Sequence, residues 1–120
     1  MAITISAQAN QVAGNLAVNT DVDETADVLF AVAKVIYAVD IDNTGNGAIT
    51  YVKIYNNGSP TVGTTAPDWV IPVPASVRRN MWIQEGMALD TALAIAAVTA
   101  GGTAGVTGPT SAVTVRMLTD

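Results

Sequence analysis

Apolar and polar residues alternate along several short stretches of this chain, and turn-forming residues separate the stretches. Alternation runs from Val35 to Ile41, stops at a cluster of Asp, Asn and Gly, and resumes at Ile49. A period of two is typical of a strand that buries one face. The pattern predicts strands over 34–42 and 48–56, joined by an Asn-Gly turn as a β-hairpin.

Four further strands are predicted downstream by the same pattern. Pro72 lies inside the first of them and removes one ladder donor, so that strand is expected at a sheet edge or at a bulge. Gly86 follows the second, and a loop rich in Gly and Thr precedes the last. The predicted strands are 69–73, 80–84, 92–99 and 112–118.

Two segments allow a second interpretation. Residues 87–100 are rich in Ala and Leu, which favours a helix, whereas the alternation around Ile95 favours an inner strand. We prefer the strand over 92–99. Residues 24–32 contain apolar side chains at helical spacing, so a short helix and a strand both remain possible for this segment.

The first twenty residues carry no charge, and apolar side chains are spread through them. Ile3 and Ile5 alternate with polar neighbours, as in a short edge strand. Four of the ten acidic residues follow within 21–27, which is typical of a solvated loop. We therefore predict an extended N-terminal arm with the acidic loop over 1–27, and a β-sandwich domain over 28–120. The alternative for the arm is a disordered terminus.

Composition supports this all-β assignment. Val, Ile and Thr together make up 40 of the 120 residues, and β-branched side chains suit a pleated surface. Charged residues make up only 12% of the chain, about half the usual share of roughly 25%. So few charges leave much surface for burial against other copies or a partner. The fold class expected is an antiparallel β-sandwich, jelly-roll-like, with the extended arm.

No residue pattern indicates catalysis. The absence of Cys and His excludes disulfides, thiolate metal sites and His-based acid–base chemistry. The segment that begins at Asp40 starts like a calcium loop but has Tyr51 where a bidentate Glu is needed. We expect no enzyme activity, no metal site and no cofactor. The carboxylates that would suit glycoside hydrolysis, which no sequence feature pairs, are Asp68, Glu85 and Asp90.

Six residues are candidates for contacts with a partner. The two tryptophans can fill the core, anchor an interface or stack on a sugar ring. The single pair of adjacent arginines can face an acidic partner, and the two isoleucines of the arm can pair with a neighbouring chain. The candidates are Ile3, Ile5, Trp69, Arg78, Arg79 and Trp82.

Several segments of the chain form a distinctive series, in which Val-Gly-Thr at 62–64 and Ile-Pro-Val-Pro at 71–74 are the most characteristic elements. They are residues 51–56 (YVKIYN), 60–67 (PTVGTTAP), 70–74 (VIPVP), and the flanking segments 35–44 and 85–89. This arrangement, over about residues 34–118, resembles a family of small β-sandwich domains in virion proteins of tailed bacteriophages. The resemblance implies a jelly-roll-like fold and a structural place in a virion, often as a trimer.

The expected function is that of a capsid decoration (cement) protein on the exterior of a phage head. It would bind and stabilise the shell of the major capsid protein as a homotrimer. The alternatives are a head- or tail-appendage adhesin that binds a host glycan, and a carbohydrate-binding module. A net charge of −5 argues against nucleic acid as the partner. The longest apolar run, 92–98, is too short to span a membrane.

Overall fold

A computed structural model describes residues 2–7 and 14–120, and these residues form two antiparallel β-sheets packed face to face. The expected all-β sandwich is confirmed. The strands within the described residues are β1 (Ile3–Ala7), β2 (Asn15–Val22), β3 (Asp27–Phe30), β4 (Lys34–Asp42), β5 (Thr50–Tyr55), β6 (Trp69–Val73), β7 (Arg78–Leu89), β8 (Leu93–Val98) and β9 (Val113–Thr119).

The five-stranded sheet has the order β1-β2-β9-β4-β7, and the four-stranded sheet has the order β3-β8-β5-β6. Every neighbouring pair is antiparallel. β9 illustrates how the sheets bury their inner faces, since Val113, Val115 and Met117 are buried while the residues between them are partly exposed. The core therefore lies between the sheets, and the outer face of each sheet is the surface that can carry a function.

Most strands predicted from alternation lie within about two residues of their observed bounds. The strand predicted over 80–84 is too short, since β7 continues past Gly86 to Leu89. The preference for a strand over a helix at 92–99 is confirmed by β8, which is buried along its whole length. A continuous run of small and branched residues suits such a strand, because both of its faces are covered. The helix considered for 24–32 is wrong, since β3 lies there. Pro72 lies in β6, an edge strand, as expected.

The predicted hairpin over 34–56 is wrong, because β4 and β5 belong to different sheets. The turn between them carries the chain across the sandwich. Asn43, which is fully buried, donates from Nδ2 to the carbonyl oxygens of Ala48, Val73 and Pro74 at 3.0–3.2 Å. These bonds join the turn to the end of β6 in the four-stranded sheet, so its polar residues build a corner rather than a hairpin.

The sandwich begins earlier than the predicted boundary at residue 28. β2 pairs with β9 inside the five-stranded sheet, and its Ala17 and Val22 are buried in the core. Within the described residues β1 is an edge strand on β2 of the same chain, and residues 8–13 of the predicted arm lie outside the described residues. Apolar spacing in a segment without charge is equally typical of an arm and of a strand, which is why the sequence alone did not separate them.

Candidate functional site

The outer face of the four-stranded sheet is covered by the chain's own loops, residues 56–68 and 99–112. Tyr55 and Ala96 are fully buried on this face, and Val62 of the first loop packs against their cluster. The two loops also touch each other, since a Cβ on Gly63 would collide with the side chain of Val106. This face is therefore a second small core.

Lys53 on β5 fixes the second loop to this face. Its side chain is fully buried, and its Nζ donates to the carbonyl oxygens of Gly105 at 2.9 Å and Thr103 at 3.4 Å. Burial lowers the pKa of Lys53 and raises that of the neighbouring Tyr55. Within residues 2–7 and 14–120 the Tyr55 hydroxyl has no hydrogen-bond partner. The lysine therefore has a structural role, because it holds the loop of residues 99–112 against β5.

The outer face of the five-stranded sheet is different, because it presents apolar side chains that no loop of the described chain buries. Strand register aligns four of them in one row: Leu16 on β2 pairs with Leu118 on β9, which pairs with Ala38 on β4, which pairs with Trp82 on β7. We call these four residues the apolar row. Trp82 is 58% exposed. The outer face of an antiparallel sheet is usually polar, so this row is a candidate docking surface.

A bulge in β4 helps to build this row. Register shifts between Ile36 and Ala38 against both β7 and β9, so β4 has one extra residue, Tyr37, opposite β9. Ile36 and Val39 are buried while the two residues between them are partly exposed. Such a bulge turns two consecutive side chains to one face of a sheet. The ring of Tyr37 packs against Gly86, where a Cβ would approach it to 2.9 Å.

A charged row lies beside the apolar row, two residues along each strand and on the same face. Asp40 on β4 pairs in register with Arg116 on β9 and with Asn80 on β7. Arg78 donates from Nε and Nη2 to the Asp40 carboxylate at 2.6–3.1 Å, and these bonds raise the pKa of Arg78. Arg116 Nη1 is 3.7 Å from Asp40 Oδ2. Two guanidinium groups thus share one carboxylate at the border of the apolar row.

A groove of about 380 Å³ runs between the two rows. Trp82, Leu16 and Leu118 line its apolar side, and Asp40 and Arg116 line its polar side. Its size is at the lower end of the range for small-molecule sites. The buried Nη1 of Arg116 has no hydrogen-bond partner among the described residues. Asp40 Oδ2 lies 3.7 Å from this nitrogen, which is an ion-pair distance but too long for a hydrogen bond.

The structure separates the two candidate tryptophans. Trp69, at the start of β6, packs against the core cluster between the sheets. Trp82 is exposed on the outer face of the five-stranded sheet and lines a groove with Asp40, the carboxylate that pairs with Arg78. Asp40 thus links the candidates Trp82 and Arg78, which lie four residues apart on β7.

The remaining candidates lie elsewhere. Arg79 on β7 donates from Nη1 to the carbonyl oxygen of Pro72 on β6 at 2.6 Å, and so ties the edges of the two sheets together. Ile3 is partly buried and packs against the chain's own core, whereas Ile5 is 42% exposed. Both isoleucines lie on β1, at the opposite edge of the five-stranded sheet from β7.

Two of the three carboxylates considered for hydrolysis meet at one residue. Asp68 accepts from the backbone N–H of Asn56, and Asp90 accepts from its Nδ2, each at 2.7 Å. The side-chain hydrogen bonds from Asn56 and Thr91 lower the pKa of Asp90. Glu85 lies on β7. No group of three or more acidic residues within the described ranges could hold a metal ion, and no helix there is long and apolar enough to cross a membrane.

Sequence reasoning missed most of the docking surface. Leu16, Ala38, Asp40, Arg116 and Leu118 come from three strands that are far apart along the chain. The available signal was local: in β9, Leu118 stands at a position that should face solvent if Met117 faces the core. Assembling such positions into a row requires the strand order, which alternation does not provide.

Comparison of the chain with protein-family models, with curated proteins and with solved structures finds no match.

Proposed function

We propose that this chain is a capsid decoration protein of a tailed phage, and that it docks on the exterior of the shell through the outer face of its five-stranded sheet. The observation that carries the proposal is the apolar row with its exposed Trp82. The outer face of the other sheet is covered by the chain's own loops, whereas no described loop covers the apolar row. The phage assignment itself derives from the sequence resemblance over about residues 34–118.

The strand pairing supports the jelly-roll form of this proposal. Leaving β1 aside, the pairs β2–β9, β3–β8, β4–β7 and β5–β6 are all neighbours in a sheet. These four pairs are nested in sequence, as in one long hairpin wrapped into a sandwich. Such an arrangement is typical of jelly rolls, a frequent fold of capsid proteins.

The chemistry of the face suits a protein partner. Trp and Arg are the residues most enriched at binding hot spots, where an anchor enters a pocket and polar groups surround it. Trp82 would supply the anchor. Asp40 is already paired with Arg78 and Arg116, so its burial against the major capsid protein leaves no isolated carboxylate.

We further propose that the protein acts as a homotrimer. A weakly charged chain with a docking face on each copy gains strongly from several simultaneous contacts, because the second and third are made at high effective concentration. Stabilisation of the shell would then come from bridging neighbouring capsid subunits.

Replacing Trp82 with alanine is expected to abolish stable decoration. Loss of a hot-spot anchor costs about 2 kcal/mol or more, which weakens each contact roughly 30-fold, and a multivalent complex loses that factor at every site. The measurement is the amount of protein bound to capsids of the source phage that lack it, by sedimentation and gel densitometry. Val32→Ala is the control, because Val32 is also 58% exposed and lies between β3 and β4. Equal binding of both variants would contradict the proposed docking face.

A second candidate function is glycan binding by an adhesin or a carbohydrate-binding module. It is favoured by one observation: an exposed Trp82 stands beside a groove that also offers Asn80, Asp40 and Arg116. Copy number separates the two functions, since decoration requires hundreds of copies per particle and an adhesin a few dozen. Quenching or enhancement of tryptophan fluorescence by host-cell polysaccharide, absent in Trp82→Ala, would support the adhesin.

A further inference from the structure

We propose that the edge of β1 away from β2 pairs with β1 of a second copy of this chain, antiparallel across a two-fold axis. Within the described residues the two sheets end in four edge strands, β1 and β7 of the larger sheet and β3 and β6 of the smaller. This pairing is independent of the docking face, which uses side chains on the outer surface of the same sheet.

Three of the four edges are protected against pairing. On β6, Pro72 removes a donor, and Arg79 reaches across from β7 to its carbonyl oxygen. β7 carries charges, and its register against β4 is broken beside Gly86, which has φ +79°. β3 has four residues and a register shift. Charges, prolines, bulges and short length are the devices by which natural sheets prevent association at an edge.

β1 has none of these devices. Its five residues, Ile-Thr-Ile-Ser-Ala, include no charge, proline or glycine, and its register with β2 is continuous. Within the described residues the side of β1 away from β2 has no strand partner. An uncharged, regular edge is a template for another strand.

The inner face of β1 also has unburied apolar area. Ile3 and Ile5 pair with Asn19 and Ala17, which are buried, so the two isoleucines lie on the core side of the sheet. Yet Ile5 is 42% exposed, because β1 is the outermost strand of the larger sheet. A second sheet edge placed beside it would cover this side chain.

The sequence of β1 is suited to pairing with itself. In an antiparallel pair centred on Ile5, that residue lies opposite its own copy, Ile3 lies opposite Ala7, and Thr4 opposite Ser6. Apolar residues then share the inner face and hydroxyl residues share the outer face. A contact in which one patch meets the same patch is the definition of a two-fold, closed interface.

A five-residue pairing buries less than the roughly 1,000 Å² of a stable interface. We therefore expect the contact to depend on concentration in solution and to become strong between copies already held close together, as on a shell. The wild-type mass, measured by light scattering from about 1 to 500 μM, is expected to rise with concentration above its low-concentration value. Ile5→Lys is expected to hold the mass at the low value, whereas Val32→Lys, which adds the same charge at another exposed site, rises as wild type does.

A cysteine cross-link tests the geometry itself. The chain has no cysteine, and residues opposite each other in an antiparallel pair have Cα atoms about 4.5–5.5 Å apart, within reach of a disulfide. Ile5→Cys is expected to form a disulfide-linked pair with diamide much faster than Val32→Cys at equal concentration. Equal cross-linking rates, or an Ile5→Lys mass that rises like that of the wild type, would overturn the proposal. Circular dichroism of each variant checks that the sandwich is intact.

Discussion

Replacing Asn43 with alanine is expected to lower the free energy of unfolding by about 3 kcal/mol, because several buried polar groups lose their partner at once. Besides its three donated bonds, Asn43 accepts at Oδ1 from Asn46 Nδ2 and from Thr50 Oγ1, both at 2.9 Å. Asn46 in turn exchanges two bonds of 2.8 Å with the backbone of Ser111. The pair of asparagines thus connects three crossings between the sheets.

Chemical denaturation measures this effect, with Asn57→Ala as the matched control. Asn57 accepts one bond, from the backbone N–H of Ser59, in an exposed turn. Its replacement is expected to cost less than about 1 kcal/mol. A similar loss in both variants would mean that the corner formed by Asn43 is not a cooperative part of the fold.

Replacing Lys53 with alanine is the second change with a large expected effect, about 2–3 kcal/mol, since it empties a fully buried site and frees the loop over the four-stranded sheet. Lys53→Met retains the buried volume and removes only the ammonium group. Comparison of the two variants separates packing from the two bonds to the loop carbonyls.

The same lysine gives the protein a defined pH dependence. Its folded pKa lies below the ordinary 10.5, so at alkaline pH the unfolded chain binds this proton more tightly than the folded chain does. Stability therefore rises with pH as it passes from the folded pKa toward 10.5. We expect the wild type to gain stability relative to Lys53→Met over this window, in urea titrations from pH 7 upward. A constant difference between the two proteins would contradict the burial of a charged lysine.

Tyr55 acts in the opposite direction and at higher pH. Its folded pKa is raised above 10.0, so the unfolded chain loses the phenolic proton first and stability falls as the pH rises beyond 10. Tyr55→Phe removes this fall. Because its hydroxyl has no partner among the described residues, the substitution is expected to be neutral or stabilising at pH 7.

The sequence was most informative where residues within a strand themselves determine its bounds and its place in the sheet. Trp69–Val73 was predicted with its observed bounds and as an edge strand, because Pro72 carries that information locally. The buried run of β8 was also readable, since Ile95 and its neighbours have no polar face to expose. The sequence did not show which strands pair with one another or to which sheet each belongs. Nothing near Asn43 distinguishes a hairpin from a corner until its amide is seen bonded to residues thirty positions away.

The proposed docking surface was predicted only in part for the same reason. Trp82 and Arg78 stand out by residue type alone, and both lie on it. Ala38 and Leu118 are ordinary residues that become a surface because β9 lies between β2 and β4. Ile5 was singled out for its place in an uncharged segment, and its exposure at a sheet edge is what gives that choice a structural meaning.

The central place of β9 also bears on how the chain folds. Its residues Val113–Thr119 pair on one side with β2, almost a hundred positions earlier, and on the other with β4. The middle of the five-stranded sheet therefore cannot form until β9 pairs with β2 and β4. The entropy cost of closing such long loops must be met before these contacts contribute any stability. Folding of the sandwich is then slow, as in other proteins dominated by distant pairings. Until β9 arrives, β2 and β4 present two unpaired edges, and in that interval the chain is most exposed to aggregation.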